Sequence, residues 1–378
     1  MDVGVYVDPH LGIGAQAQAI ERAGFTHLWV FDSPLVFADP YMALLEAARA
    51  TERLVVGPGV THPGARPAYA TAQALATLAV AAPGRVAFGV GTGNSARWSL
   101  GLAPATLDEL FEHVRVVGGL LAGEEVDYRE GDGPPRPLRF LNPSGRWIDL
   151  SRPVATWISA FGPVGQRRAG AVADGVIVRW QGPEALAAAR ERVAAGARAA
   201  GRDPAEVGIA VLYAVYPVAD ERELESEEAI AALGPHVISR LRYLAANHAD
   251  PAEVAPEFRA GLAAYRRHHA ALPERTRHLD GYEGYLVAVP ESLQAFVTPE
   301  SIRSVVHVDD AAAVARELRR MADAGVDHAS FQITGPPMAW CERMGDAVLP
   351  AVRPVGEIDN GPPASGTAVP ERGRDSAP

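Results

Sequence analysis

Residues 84–96 read GRVAFGVGTGNSA, an apolar segment that runs into a glycine-rich turn. Residues 91–96 fit the pattern G-x-G-x-x-G/A, with which many open α/β sheets bind a dinucleotide. In those folds the pattern follows the first strand, and an acidic residue ends the second strand about 20 residues later. Here the turn follows a fourth strand-like segment, and the next acidic residues, Asp108 and Glu109, begin a helix pattern. The context therefore disfavours a dinucleotide-binding sheet.

On both sides of this turn, short apolar segments alternate with amphipathic helical patterns, as in successive βα units. Eight segments predict strands: VGVYV (3–7), HLWVF (27–31), LVVGPGV (54–60), RVAFGV (85–90), VATWIS (154–159), DGVIV (174–178), VGIAVLYAVYPV (207–218) and HASFQIT (328–334). We therefore predict an α/β fold, a closed (β/α)8 TIM barrel. The glycines then lie at the carboxyl end of a strand, where they either admit a ligand close to the backbone or form a tight turn.

Two stretches interrupt the βα repeat. Residues 124–150 predict an excursion on top of the barrel, and residues 221–305 predict a helical insertion before the last strand, placed to shape a pocket. The Pro/Gly/Ser-rich stretch 356–378 has no periodicity and predicts a disordered tail. We predict a single barrel domain over residues 1–355.

Composition excludes several classes of function. The 378 residues carry a net charge of −11 without a basic cluster, which argues against partners such as nucleic acids or anionic membranes. All 35 basic residues are arginine, so Schiff-base, pyridoxal phosphate and Walker A chemistry, which need lysine, are excluded. No apolar run reaches the roughly 18 residues of a membrane span. The single cysteine, Cys341, and the lack of a signal-peptide pattern favour a cytoplasmic protein that acts on a small molecule.

Five segments, in order and spacing, resemble the luciferase-like flavin and deazaflavin oxidoreductases, in particular the branch of coenzyme F420-dependent methylenetetrahydromethanopterin reductases. They are GFTHLWVFDSPLVFADPY (24–41), VVGPGVTHPGARPA (55–68), APGRVAFGVGTGNSA (82–96), PVATWISAFGPVGQRRAGAVADGVIV (153–178) and AGVDHASFQ (324–332). The resemblance extends over residues 1–350. It implies a barrel that holds coenzyme F420, or alternatively FMN, at its carboxyl-terminal mouth.

The resemblance also implies roles for individual residues. It places Asp32 beside the coenzyme ring, and it places the end of the third strand, where relatives often have a non-prolyl cis peptide, behind the ring. A strand-to-helix turn at residues 160–164 would hold a phosphate on free N–H groups. The residues implied to bind the coenzyme are Ser33, Val60, Thr61, Gly91, Thr92, Gly93, Asn94, Ala160, Phe161, Gly162, Pro163 and Val164.

Two residues are candidate catalytic groups, Asp32 and His62. F420-dependent relatives often have a histidine where this chain has Ser33, and asparagine where it has His62. Asp32 either protonates the accepting atom, which requires that burial raise its pKa, or only accepts a hydrogen bond. His62 ends the third strand beside a glycine-rich turn, so it either contacts coenzyme or substrate or belongs to the core.

Aromatic residues at or just after strand ends are candidates for the walls of a flat, apolar substrate pocket, and several of them are expected to belong to the core instead. They are Trp29, Phe37, Tyr41, Trp98, Trp157, Phe161 and Trp180. Tyr282 and Tyr285, in the insertion, predict a lid over the mouth. A homodimer formed through outer helices is implied by the family resemblance.

The sequence leaves three functions open and disfavours a fourth. The first is hydride transfer between reduced F420 and a small organic substrate. The second is a monooxygenase reaction with reduced FMN, which a partner flavin reductase would supply. The third is a catalytically silent flavin-binding barrel. A metal-dependent hydrolase is disfavoured, and no metal is predicted, because three of the strand ends offer Gly91, Ala160 and Arg179, which are not usual metal ligands.

Overall fold

A computed structural model describes residues 1–143, 146–247, 249–332 and 338–352. Eight parallel strands form its central sheet: β1 (Asp2–Val7), β2 (His27–Val30), β3 (Val55–Pro58), β4 (Ala87–Val90), β5 (Ala155–Ser159), β6 (Gly175–Arg179), β7 (Gly208–Tyr213) and β8 (His328–Gln332). Their order is β3-β2-β1-β8-β7-β6-β5-β4. Parallel bridges from Val56 to Val86 and from Thr61 to Val90 join the two edge strands. The sheet is thus closed, and the predicted (β/α)8 barrel is confirmed.

Helices surround the barrel. They are α1 (Ile13–Arg22), α2 (Pro40–Ala50), α3 (Ala68–Ala81), α4 (Asn94–Trp98), α5 (Leu107–Leu121), α6 (Pro163–Val172), α7 (Pro183–Ala199), α8 (Glu227–Ala246), α9 (Pro256–Ala271), α10 (Arg277–Asp280), α11 (Pro299–Arg303), α12 (Ala311–Asp323) and α13 (Met338–Arg343). Among the described residues, no helix is both long and apolar enough to cross a bilayer.

Each of the eight predicted strands is present, with one difference. The seventh prediction, 207–218, covers two strands, because pairing with the barrel stops at Tyr213. Val215–Pro217 pairs instead with His307–Asp309, outside the barrel. Residues 333–334 of the eighth prediction and the predicted tail, 356–378, lie outside the described residues.

Local sequence signals explain where helices begin. The Thr106 hydroxyl accepts the Glu109 N–H at 3.2 Å, and Glu109 Oε2 accepts the Thr106 N–H at 2.7 Å, which is a capping box at the start of α5. At α12, the carboxylate of Asp310 accepts the N–H of Ala313 at 2.7 Å. Both caps satisfy N–H groups that have no partner inside the helix.

The stretch 124–150, which was predicted as an excursion on top of the barrel, packs against α3. It forms a hairpin of Val126–Tyr128 and Arg136–Leu138. The ring of Tyr128 meets that of Tyr69 on α3 at 5.5 Å between centroids. A barrel helix returns the chain to the amino ends of the strands, so a segment that follows α5 starts at the end opposite to the mouth.

The stretch before β8 is mostly helical, as predicted, and has a core of its own. Leu233, Val237 and Leu241 on α8 are buried together with Phe258 and Leu262 on α9. This cluster is separate from the main core, which fills the space between the barrel and its outer helices. The helices of this stretch therefore form a second packed layer beside the mouth.

Helices α6 and α7 approach each other through glycines. A Cβ added at Gly170 would lie 2.0 Å from the carbonyl oxygen of Val193, and one added at Gly196 would lie 1.8 Å from that of Arg167. Real Cβ atoms do not come this close to backbone oxygens, so the two helices can pack at this distance only with glycine at both positions.

Replacing Gly196 with alanine is expected to destabilise the protein by about 1–3 kcal/mol, because the helix pair has to move apart. The matched control is Gly118→Ala in α5, where an added Cβ meets nothing within 4 Å. That change is expected to stabilise the protein by up to about 1 kcal/mol, since alanine favours a helix over glycine. Urea unfolding of the two variants measures both effects. Equal midpoints for Gly196→Ala and wild type would contradict the packing described.

Candidate active site at the mouth of the barrel

A cavity of about 570 Å³ opens at the carboxyl ends of the strands. Twelve of the fourteen candidate residues line it: Asp32, Ser33, Val60, Gly91, Thr92, Gly93, Asn94, Ala160, Phe161, Gly162, Pro163 and Val164. They come from the ends of β2, β3, β4 and β5 and from the first turn of α6. The parallel strands thus bring together residues that are far apart in the sequence.

The inner wall of the cavity is aromatic. Tyr6 is 4% exposed, and its ring stacks on Phe31 with centroids 5.8 Å apart. Both residues line the cavity, and beside them the Gly59–Val60 peptide is cis, as the family resemblance implies. This wall offers flat, apolar surface to a ring.

The glycines of the turn after β4 have two different structural roles. Gly93 has φ 71°, and a Cβ there would lie 2.4 Å from Cγ of His62, so the turn needs glycine for its own packing. At Gly91 a Cβ would lie 3.0 Å from Val60 Cγ2. Glycine at this position leaves the backbone accessible from the cavity. Close packing therefore accounts for glycine at both positions, and Gly91 also lines the cavity.

Thr61, which was expected to bind the coenzyme, does not line the cavity, and of the two positions open to His62 the structure has the one in the core. The chain after β3 continues to pair with β4: the Thr61 N–H donates to Gly89 O and the Gly91 N–H donates to Thr61 O, both at 2.9 Å. This pairing buries Thr61 completely and leaves His62 1% exposed, behind Gly93. Burial lowers the pKa of His62, whose Nδ1–H donates to Pro63 O at 3.0 Å.

Asp32 is the acidic residue of the cavity. Its side chain is 5% exposed, and the Thr61 hydroxyl donates to Oδ2 at 2.6 Å. Burial raises the pKa of this carboxyl above its ordinary value, against the lowering effects of the Thr61 hydroxyl, His62 and Arg66. A raised pKa is the property that a proton donor requires at this position.

The amino-terminal end of α6 meets the requirements of an anion site. Gly162 is its N-cap, no side chain caps it, and its first turn carries no acidic residue. Gly162, Pro163 and Val164 line the cavity, and Val164 is 61% exposed. The free N–H groups and the positive end of the helix dipole suit a phosphate. The residues present therefore fit the phosphate-bearing chain of a flavin or deazaflavin coenzyme.

Most of the predicted pocket aromatics lie elsewhere. Trp29 is 1% exposed in the barrel interior, where Trp157 packs against the same small cluster. The ring of Tyr41, which is 8% exposed, lies under the Arg66 guanidinium at 4.8 Å. Phe161 alone of the predicted set lines the mouth cavity. Trp98 and Trp180 line neighbouring cavities, and Phe37 stacks on Phe31 at 6.1 Å.

Several lining residues were not among the sequence candidates, notably Tyr6, Arg179, Tyr243 and Leu286. The position of Arg179 could have been predicted from the sequence, because a charged residue directly after the apolar VIV of β6 lies at the mouth. Tyr243 lies on α8, and no pattern in the sequence indicates how that helix docks. Tyr285, proposed as part of a lid, does line the cavity; Tyr282 lines the cavity next to it.

One group of possible metal ligands exists among the described residues, and it lies at the other end of the barrel. Asp2, His27 and His328 have ligand atoms within 4.8 Å of one another. They begin β1, β2 and β8, so they are remote from the mouth. Burial lowers the pKa of His27 to about 3 and that of His328 well below its ordinary value.

Curated proteins with similar sequences are named for F420 chemistry. The 5,10-methylenetetrahydromethanopterin reductase of Methanolobus tindarius is 33% identical over 215 residues, 56% of this chain and 63% of the relative. The F420-dependent hydroxymycolic acid dehydrogenase of Mycobacterium tuberculosis is 33% identical over 218 residues, 53% of this chain and 58% of the relative. The chain thus spans less than two thirds of either relative.

Solved structures share the fold over most of the chain. The F420-dependent tetrahydromethanopterin reductase of Methanopyrus kandleri has a TM-score of 0.66 at 21% identity, over 93% of this chain and 99% of that one. The oxygenating constituent of 3,6-diketocamphane monooxygenase from Pseudomonas putida, in complex with FMN, has a TM-score of 0.58 at 15% identity, with the same coverage. The sequence model of luciferase-like monooxygenases matches residues 9–328. The chain therefore belongs to the luciferase-like monooxygenase family.

Proposed function

We propose that this protein is an oxidoreductase that binds coenzyme F420 in the mouth cavity and transfers a hydride between the coenzyme and a small organic substrate. One observation carries the proposal: a single cavity combines a flat aromatic and glycine wall, an uncapped helix N-terminus and a buried carboxyl group. The F420-dependent names of the curated relatives support the choice of coenzyme.

The coenzyme would bind to two regions of the cavity, its ring to one and its phosphate to the other. Tyr6, Phe31 and the turn at 91–94 would take the ring, because they provide apolar surface and accessible backbone. The first turn of α6 would take the phosphate on its N–H groups. Both regions belong to the lining of one cavity.

Asp32 is proposed as the group that handles the proton. When bound, the F420 ring supplies a hydride at its carbon 5. Because the Thr61 hydroxyl donates to Oδ2, protonated Asp32 would hold its proton on Oδ1. From there it would protonate the accepting atom as the hydride arrives. Tyr285 and Leu286, which line the outer side of the cavity, would limit access of water.

A second candidate is a monooxygenase that uses reduced FMN delivered by a partner flavin reductase. The similarity in fold to an FMN complex favours it, since the same mouth accepts either tricyclic ring. A silent flavin-binding barrel is the third candidate. A homodimer, proposed on the family resemblance, and a cytoplasmic location, proposed on the single cysteine and the lack of a signal-peptide pattern, complete the proposal.

Fluorescence titration of the purified protein with F420 and with FMN, followed by turnover with and without oxygen, tests the proposal. We expect F420 to bind more tightly than FMN and hydride transfer to proceed without oxygen. Oxygen consumption that depends on reduced FMN would replace the proposal with the monooxygenase. Binding without turnover would favour the silent flavin-binding barrel, and absence of binding by either coenzyme would favour a barrel that has kept its fold but lost its coenzyme.

A further inference from the structure

A second cavity, of about 700 Å³, opens off the mouth cavity. It lies between the end of β6, helix α8 and residues 303–307. The two cavities share Arg179, Tyr243 and Tyr285 in their linings, so they lie side by side. A molecule bound in the second cavity would therefore lie next to the region assigned to the coenzyme ring.

The lining of the second cavity is basic, although the chain as a whole is acidic. The chain has 46 acidic and 35 basic residues. The described residues that line this cavity include four arginines and two histidines but no aspartate or glutamate. In the mouth cavity, Asp32 is the one acidic residue of the described lining. The combined space thus favours an anion at its outer part.

Two of the arginines of this lining have neither an ion-pair partner nor a hydrogen-bond acceptor among the described residues. The Arg179 guanidinium lies over the rings of Phe161 and Tyr243, 4.5 and 5.2 Å from their centroids, and Arg240 lies 5.7 Å from the centroid of the Tyr243 ring. Within the described part of the chain, neither guanidinium forms an ion pair or a hydrogen bond. By contrast, Arg242 donates to the carbonyl oxygens of Gly281 and Glu283.

Arg179 and Arg240 have no counter-ion among the described residues. Arg179 is exposed to the solvent of the cavity, and its partial desolvation and the neighbouring charge of Arg240 both lower its pKa. Two guanidinium groups around one tyrosine repel each other, and nothing acidic in the cavity offsets that repulsion. A carboxylate or phosphate between them would do so, and arginine is suited to bind either group through paired N–H donors.

We propose that Arg179 and Arg240 bind the anionic group, a carboxylate or a phosphate ester, of the substrate. The rest of the substrate would extend past Tyr285 to the mouth cavity. This inference rests on the proposed function for what happens to the substrate, but anion binding itself is measurable without any coenzyme. It names acidic small molecules as the substrate class.

The test uses benzoate and phenyl phosphate as anionic probes and benzyl alcohol as the uncharged one, by calorimetric titration of the coenzyme-free protein at constant ionic strength. The variants are Arg179→Gln and Arg240→Gln. The control is Arg53→Gln, which removes the same charge from an exposed residue near the amino end of β3. Thermal unfolding without probes verifies that each variant is folded.

We expect wild type and Arg53→Gln to bind at least one anion about tenfold or more tightly than benzyl alcohol, and either cavity variant to lose most of that preference. A preference that survives in both variants, or that is missing in wild type, would overturn the inference. F420 titration separates the coenzyme's own acidic tail from the substrate: an affinity for F420 that falls about tenfold in the variants would assign these arginines to the coenzyme instead. Failure of wild type to bind F420 would reject the proposed function but leave the result with the probes intact.

Discussion

Replacing Asp32 with asparagine is expected to lower kcat by about 10²- to 10⁴-fold while F420 binds nearly as well as to wild type. Asparagine keeps the shape of the side chain and accepts the hydrogen bond from Thr61, but it has no proton to give. Single-turnover kinetics and F420 titration measure the two quantities separately. A variant that retains kcat within about twofold would show that Asp32 only accepts a hydrogen bond.

The role of Asp32 also predicts how kcat and Tm depend on pH. Burial raises the pKa of Asp32 in the folded protein, so wild-type kcat should fall as the pH rises through that pKa. The folded state also binds the proton more tightly than the unfolded chain, whose value is about 3.9. Ionisation of Asp32 therefore destabilises the fold above the folded-state pKa and has no effect below the unfolded value. Asp32→Asn should raise Tm at neutral pH and leave it unchanged at pH values below both pKa values.

Thr61→Val tests whether Asp32 is the group whose pKa sets the pH dependence of kcat. The Thr61 hydroxyl favours the ionised form of Asp32, so its removal should raise the pKa of Asp32 further. The falling limb of the kcat profile should then move to higher pH, with the rate at low pH retained. A limb that stays in place would mean that another group titrates.

The second large effect is expected from Val164→Asp in the first turn of α6. A carboxylate there would repel a phosphate at the helix N-terminus and weaken coenzyme binding by about 10- to 100-fold. Stability should change the other way, with a gain of about 0.3–1 kcal/mol, because an acidic side chain interacts favourably with that end of the helix. Val164 is 61% exposed, so the substitution should not disturb packing.

Val164→Asn is the matched control, with similar size and no charge. Its coenzyme affinity should stay within about threefold of wild type. The two variants are compared by F420 titration and by thermal unfolding. If aspartate and asparagine weaken binding equally, the phosphate does not bind at α6.

The barrel was predictable because its strands are buried on both faces and appear as continuous apolar segments. The turn at 91–94 and the end of β5 were placed correctly beside each other, since carboxyl ends of parallel strands meet at one rim. Whether a residue just past a strand end points into the cavity depends on local pairing. The sequence left the position of His62 open for this reason: the chain after β3 pairs with β4, and the side chain lies behind Gly93.

Residues from the segment before β8 could not be assigned to the site in the same way. Tyr243 reaches the mouth cavity, and Arg240 the cavity next to it, only because the core of α8 and α9 docks beside the mouth. That docking depends on tertiary contacts between side chains distant in sequence. The sequence also does not tell which aromatic residues line the pocket and which belong to the core. Trp29, for example, fills the barrel interior, where a large side chain is needed for close packing.

A crystal structure of the protein with F420 bound would test the central claim most directly. We predict the ring against Tyr6, Val60 and Gly91, with the phosphate on the N–H groups at the start of α6. A coenzyme bound outside this mouth, or a mouth that stays empty at saturating F420, would contradict the account.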